Sequence, residues 1–226
     1  MIATYKFIIS TLLFLFPWAV RRWLLCRLFG YHIDRSARIG LSIIIPRELI
    51  MRKGASIGHC SMCKGVDLLK MNDKSRIGNF NWISGSSAFG ERVFFEHDIN
   101  RKSELVLGSH SALTSRHLLD CSGSISIGDF TILAGFRSQI LTHSIDLRKS
   151  RQSSGPVRIG SYCFIGTGCI ILKDSSLPDY SVLGAGSLLN KKHTDNHTLY
   201  GGVPACALKK LPDDYVYFSR EEGYVS

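Results

Sequence analysis

Residues 159–189 read IGSYCFIGTGCIILKDSSLPDYSVLGAGSLL. Every sixth position is aliphatic: Ile159, Ile165, Ile171, Leu177, Leu183 and Leu189. In a chain that is 45% hydrophobic, six such successes by chance have a probability of about 0.008. Four residues after each aliphatic come Cys163, Cys169, Ser175, Ser181, Ser187 and His193, all small but the last. An amphipathic helix repeats every 3.6 residues, so a period of six excludes one. Glycine directly follows Ile159, Ile165 and Leu183, and glycine permits the tight backbone a corner needs. The pattern describes short strands joined by corners, three to a coil, with the aliphatics pointing inward. One coil then takes 18 residues, the spacing of Gly166 and Gly184.

Outward from this stretch the step holds over Ile39, Ile45, Met51, Ile57, Cys63 and Leu69. It holds again over Ile77, Ile83, Phe89, Phe95, Arg101, Leu107, Leu113, Leu119 and Ile125, with Arg101 the one failure. The frame slips by two at residues 69–77 and at 125–127. This hexapeptide repeat, running from about Ile39 to Leu189, resembles the left-handed parallel β-helix of the acyltransferase superfamily. The resemblance implies an all-β fold whose hand departs from the usual right-handed crossover. The expected organisation is an apolar, basic segment at 1–30, a β-helix domain at 31–195 and a short C-terminal tail at 196–226.

The 226 residues suffice for one domain with an appendage. Seven cysteines, an odd number, argue against a disulfide-stapled secreted domain. The net charge of +10 is unevenly placed. Residues 1–38 carry six basic side chains against one acidic, 144–158 carry four against one, and 190–210 carry four against one. Local clusters suit a membrane surface and a phosphorylated ligand better than nucleic acid, and no nucleic-acid partner is expected.

Phe7 to Val20 reads FIISTLLFLFPWAV and stops at Arg21 and Arg22. Spanning a bilayer takes about 20 apolar residues. The expectation is a helix in or partly dipping into the cytoplasmic leaflet, with Trp18 and Trp23 at the headgroups and the enzyme peripheral to the inner face of the cell membrane. The competing readings are a helix packed on its own domain or a neighbouring subunit, and a cleaved signal. The signal is disfavoured because only Lys6 precedes the apolar run and no small-x-small site follows.

The repeat breaks most widely at Ser144–Pro156, SIDLRKSRQSSGP, a polar, basic, turn-rich stretch that reads as a loop leaving a coil. His143 stands immediately before it. LTHSID, GPVRIGSYCFIGTGCII, VLGAGSLLNK and GGVPA are similar to the C-terminal half of acetyl-CoA-dependent O-acetyltransferases, a group that includes the maltose and galactoside enzymes and those acting on bacterial polysaccharides. The resemblance implies that His143 is the catalytic base and that the amide of Thr167 is an oxyanion donor. It implies that Gly166, Gly168, Gly184, Ala185, Gly186, Pro204 and Ala205 line a coenzyme A channel. It also implies a homotrimer, with acetyl-CoA as co-substrate and a sugar or lipid-linked glycan as acceptor. N-acetylation of an amino sugar and a non-catalytic β-helix scaffold are the alternatives.

The chemistry fits independently of the resemblance. Acyl transfer to a hydroxyl needs a base near neutral pH, which suits histidine. It also needs donors for the oxyanion, which backbone N–H groups at a glycine corner supply. Lys191 and Lys192 follow the G-A-G-S corner and either bind coenzyme A phosphates or form a solvated face. There are two departures from the family pattern. Where sugar-acetylating relatives often carry asparagine, the matched position is Ser115, beside Arg116 and His117, so Ser115 or His117 takes that substrate contact or the acceptor binds differently. After Ala205 comes Cys206 instead of a basic residue, which Lys209 or Lys210 would replace. No metal is expected. His110 and His117 lack the H-x4-H spacing of β-helix carbonic anhydrases, and Cys60-x-x-Cys63 has no second pair.

Overall fold

The computed structural model describes residues 2–89, 94–223 and 225. Three largely parallel sheets, of seven, nine and seven strands, form the faces of a left-handed β-helix. On the first face Ile33, Met51, Met71, Leu107, Ile127, Ile159 and Leu177 stand in register. On the second they are Ile39, Ile57, Ile77, Leu113, Leu133, Ile165, Leu183 and Tyr200. On the third they are Ile44, Cys63, Ile83, Leu119, Ile140, Ile171 and Leu189. All of these side chains are buried, so the repeat is the core. Cys63 fills a core position and is no half of a metal site.

The two frame slips have a simple cause. Strands Leu68–Met71 and Ser124–Ile127 have four residues, so each turns two side chains inward, two apart. Glu48–Met51 and Glu104–Leu107 do the same.

Two sequence expectations need correction. Ile44, not Ile45, stacks on Cys63. Ile45 points outward and is buried where the first helix packs on its strand. Residues 85–103 are not a coil. The chain leaves the third face after Trp82–Ser84 and rejoins the first at Glu104–Leu107. Phe89 is consequently exposed, while Phe95 and Arg101 are buried away from the inward columns. The stretch after His143 is likewise not an open loop. Strands His143–Asp146 and Arg151–Ser154 pair as an antiparallel hairpin, with His143 opposite Ser154.

The amino-terminal segment forms α1, Ile2–Leu12, a short 3-10 turn, and α2, Trp18–Phe29. The two are separated at Pro17, which lacks the N–H needed to continue the first helix. Leu13 and Leu25 join the core cluster. Trp18 Nε1 donates to the Ala37 carbonyl at 3.0 Å, and the buried Arg21 donates to the Gly40 carbonyl at 3.0 Å. The segment therefore closes the first coil, and Trp18 is committed to the protein. Among the described residues no helix is long and apolar enough to cross a membrane. Its outer surface leaves Leu12, Leu15, Phe16 and Trp23 exposed.

The carboxyl-terminal region is more ordered than a tail. Thr198–Gly202 adds a parallel strand to the second face, and Ala205–Lys210 folds back on it. Beyond these, residues 215–223 return along the corner between the first and second faces. That corner carries His110, Phe130, Tyr162, Tyr180 and His197, all at positive φ and stacked ring on ring at 4.7 to 5.3 Å. Phe218 packs edge-on against Tyr180 and His197. Arg220 lies over Phe130 and Tyr162, and Glu222 reaches Lys74.

Candidate active site

His143 begins at the corner between the third and first faces, where strand Gln139–Leu141 ends. One coil earlier, Asp120 ends strand Leu118–Asp120 and pairs with Leu141. This register puts the Asp120 carboxylate 2.6 Å from His143 Nδ1. Asp120 also accepts from the Thr142 amide at 2.9 Å, and from Ser122 through its amide at 3.1 Å and its hydroxyl at 2.7 Å. Burial pushes this carboxyl up, but the bonds from Ser122 and then His143 outweigh it and hold the group below the usual carboxylate range. An ionised carboxylate only accepts, so the proton between them resides on His143 Nδ1. Nε2 then carries the lone pair. None of the described residues hydrogen-bonds Nε2, and the imidazole is 41% exposed. The pair is a base with its orienting acid, open to solvent on the working side.

Asp120 was not singled out from the sequence. Its only signal is that it directly follows the inward Leu119 and falls one coil below the residues leading to His143. That signal appears only once the 18- to 20-residue register is laid out.

The remaining predicted residues collect on a different corner, between the second and third faces. Gly166, Thr167 and Gly168 lie there, with Gly184, Ala185 and Gly186 one coil above. The Gly186 amide donates to the Thr167 carbonyl at 2.9 Å. The Gly202 amide donates to Ser187 Oγ at 3.2 Å, which draws the Gly201–Ala205 turn onto the same stack. At Gly166 an added Cβ would come within 2.6 Å of the Ala185 amide nitrogen, so the close coil contact requires glycine there. Gly168 and Gly186 instead combine φ of +69° with open space where a Cβ would point. The Thr167 amide donates to none of the described residues. Lys191 and Lys192 are exposed and follow strand Leu188–Leu189, on the His143 corner two coils further on.

Within one chain, then, Thr167 and His143 occupy different corners. Ser115 is on the Thr167 corner and accepts from the Asn79 amide at 3.2 Å. His117 is buried, with Nδ1 accepting from the Ser138 amide at 3.2 Å and Nε2 3.0 Å from Thr114 Oγ1. With both nitrogens engaged, His117 packs the coil and is not placed to touch an acceptor. Burial pushes it down to about 4. Unfolded, it would titrate near 6.5, so the unfolded chain binds the proton first as pH falls. Stability should therefore be full above that value and decline between about 6.5 and 4, by at most about 1.4 kcal/mol per pH unit from this group. Urea unfolding at pH 7 and pH 4.5 measures the loss, and a folded His117→Gln variant should show a shallower decline. No group of three or more metal-ligating side chains occurs among the described residues.

Comparison with known proteins agrees with this architecture. No family model matches the chain. The galactoside O-acetyltransferase of Escherichia coli K12 is 23% identical over 180 residues, 71% of this chain and 88% of that protein. The crystal structure of the polysialic acid O-acetyltransferase OatWY superposes with a TM-score of 0.61 at 17% identity, covering 84% of this chain and 90% of that one. A hexapeptide-repeat acetyltransferase from Vibrio cholerae, VCA0836, aligns at 19% identity over 93% of this chain and 89% of its own, with a TM-score of 0.48. Repeat, fold and sequence similarity converge: the chain belongs to the hexapeptide-repeat, left-handed β-helix acyltransferase superfamily.

Proposed function

We propose that this protein transfers the acetyl group of acetyl-CoA to a sugar hydroxyl in bacterial cell-surface polysaccharide or lipopolysaccharide assembly, with His143 as general base. The observation that carries the reading is the Asp120–His143 pair, with Nδ1 protonated and Nε2 open. Nε2 takes the proton of the acceptor hydroxyl as its oxygen bonds to the thioester carbonyl carbon. Asp120 stabilises the imidazolium so formed. As the carbon–sulfur bond breaks, Nε2 returns the proton to the departing sulfur, and a sugar ester and a free thiol result. The donor's contribution is an activated carbonyl and a good leaving group. The open Gly168 and Gly186 positions, the free Thr167 amide and the exposed Lys191 and Lys192 suit an elongated polyphosphorylated ligand. The similarity to an enzyme named for galactoside O-acetylation supports a sugar acceptor.

The separation of Thr167 from His143 favours a homotrimer in which one chain's Thr167 corner meets a neighbour's His143. The outward side of the third face is apolar, carrying Met62, Trp82, Leu118, Ile170 and Leu188, with Phe80 and Phe136 exposed beside it. An apolar patch of that extent is characteristic of an interface.

The membrane reading rests on Leu12, Leu15, Phe16 and Trp23 being exposed next to a basic segment. Because the inner side of the two helices closes the core, point changes test it better than truncation. A Leu12→Ser, Leu15→Ser, Trp23→Ser protein should keep its thermal midpoint and lose most flotation with anionic liposomes. Undiminished flotation would remove this surface from the membrane reading.

The experiment for the activity itself is thiol release from acetyl-CoA with a panel of oligosaccharides, followed by treatment of the product with hydroxylamine. A hydroxylamine-labile ester is the expected product. A stable amide would indicate N-acetylation, and no transfer to any saccharide would overturn the acceptor class.

A further inference from the structure

We infer that Arg101 and Phe95 form a positioning device that holds the Asp120–His143 pair in its working geometry, so that the excursion interrupting the repeat sets the aim of the base. This rests on the reading of His143 as the base. Phe95 is 4% exposed yet lies outside the central core cluster. Its ring meets the His143 imidazole edge to face, with centroids 6.3 Å apart and planes at 86°. The Arg101 guanidinium lies 4.3 Å from the Phe95 ring centroid. The same guanidinium donates through Nη1 to the carbonyls of Ser86 and Ser122, each at 2.5 Å, and through Nη2 to that of Ser87 at 2.8 Å.

Ser122 is the residue whose amide and hydroxyl both bind Asp120 Oδ1. One buried side chain thus touches both halves of the pair. It reaches His143 through Phe95 and Asp120 through Ser122. The excursion is also tied to the catalytic hairpin, since Ser154, opposite His143, donates to Asp98 at 2.8 Å. Desolvating a guanidinium is costly, and an apolar side chain would fill the space without that cost. It would not bridge three carbonyls while presenting a flat face to an aromatic ring. Lysine, a point charge on a flexible stem, would not do so either.

The Asp120 bond fixes one edge of the imidazole, and Phe95 limits rotation of the ring about that bond. Nε2 is thereby aimed at one place. A misplacement of about 1 Å can cost about 100-fold in turnover.

The test uses Arg101→Lys and Phe95→Leu in the full-length protein. Phe95→Leu leaves the carbonyl bonds of Arg101 intact and serves also if Arg101→Lys fails to fold. Turnover, KM for acetyl-CoA, thermal midpoint and the ¹⁵N spectrum of His143 are measured for each. The expected result is a kcat about 10- to 100-fold lower, KM for acetyl-CoA within about twofold, and loss of the single Nδ1–H tautomer. A folded variant with kcat within about threefold of wild type overturns the inference. So does a loss of kcat that follows the thermal midpoint while the His143 spectrum is unchanged. The spectrum is read without any turnover. If His143→Ala retains full activity while Phe95→Leu still shifts the tautomer, the base reading fails and the positioning geometry stands.

Discussion

Replacing His143 with alanine should lower kcat/KM by about 10²- to 10⁴-fold, the usual contribution of a general base. The imidazole is partly exposed and its one described polar partner is Asp120, so the loss should leave the coils in place. Affinity for acetyl-CoA should be nearly unchanged, because the glycine stack at Gly166–Gly168 and Gly184–Gly186 is on another corner. Thiol release and acetyl-CoA binding by calorimetry check the two halves of the expectation. Near wild-type transfer in the variant would remove His143 from the mechanism.

Asp120→Asn should cost about as much, roughly 10²- to 10⁴-fold in kcat, for a different reason. The asparagine oxygen keeps the bonds from Ser122, which leaves its amide N–H₂ facing His143 Nδ1. A donor at that position demands an unprotonated Nδ1, so the proton moves to Nε2 and the lone pair is lost where the hydroxyl arrives. The fold should largely survive, since the changed group is isosteric. The distinguishing result is a kcat loss with KM for acetyl-CoA held, together with a protonated Nε2 in the ¹⁵N spectrum. Asp120→Ala should be worse for stability, because it strands the Thr142 and Ser122 donors that now bind the carboxylate. If Asp120→Asn turns over normally, the carboxylate does no more than pack the corner.

The fold could be read from the sequence because its core is a sum of identical local choices. Each inward position needs an aliphatic and each corner a small residue, so chain order alone reports it. His143 was legible for a related reason, as it abuts the longest interruption of that order. Asp120 was not, because its meaning depends on a neighbour 23 residues away, brought close by a coil that takes 20 residues in places and 18 in others. Phe95 and Arg101 were misread for the opposite reason. They fall in phase with the hexad while lying outside the coil, so Arg101 looks like a defect in the repeat when it stands beside the chemistry. Likewise hydropathy marks the first 30 residues as apolar and basic. It does not separate the side of the helices that plugs the first coil at Leu13 and Leu25 from the side left bare at Leu15 and Trp23.

The strand-like return of residues 215–223 along the aromatic corner changes how the whole solenoid holds together. A bare coil stack is nearly one-dimensional, each turn touching only its neighbours, so it can peel from an end one turn at a time. Here the last segment of the chain crosses several turns at once. Phe218 sits on the turns of Tyr180 and His197, Arg220 on those of Phe130 and Tyr162, and Glu222 on that of Lys74. Opening the final turn therefore means lifting a strip that also clasps the middle of the molecule. The protein behaves less like a stack of coins than like one bound along its edge, and the corner below His143 inherits that rigidity from a segment far from it in the chain.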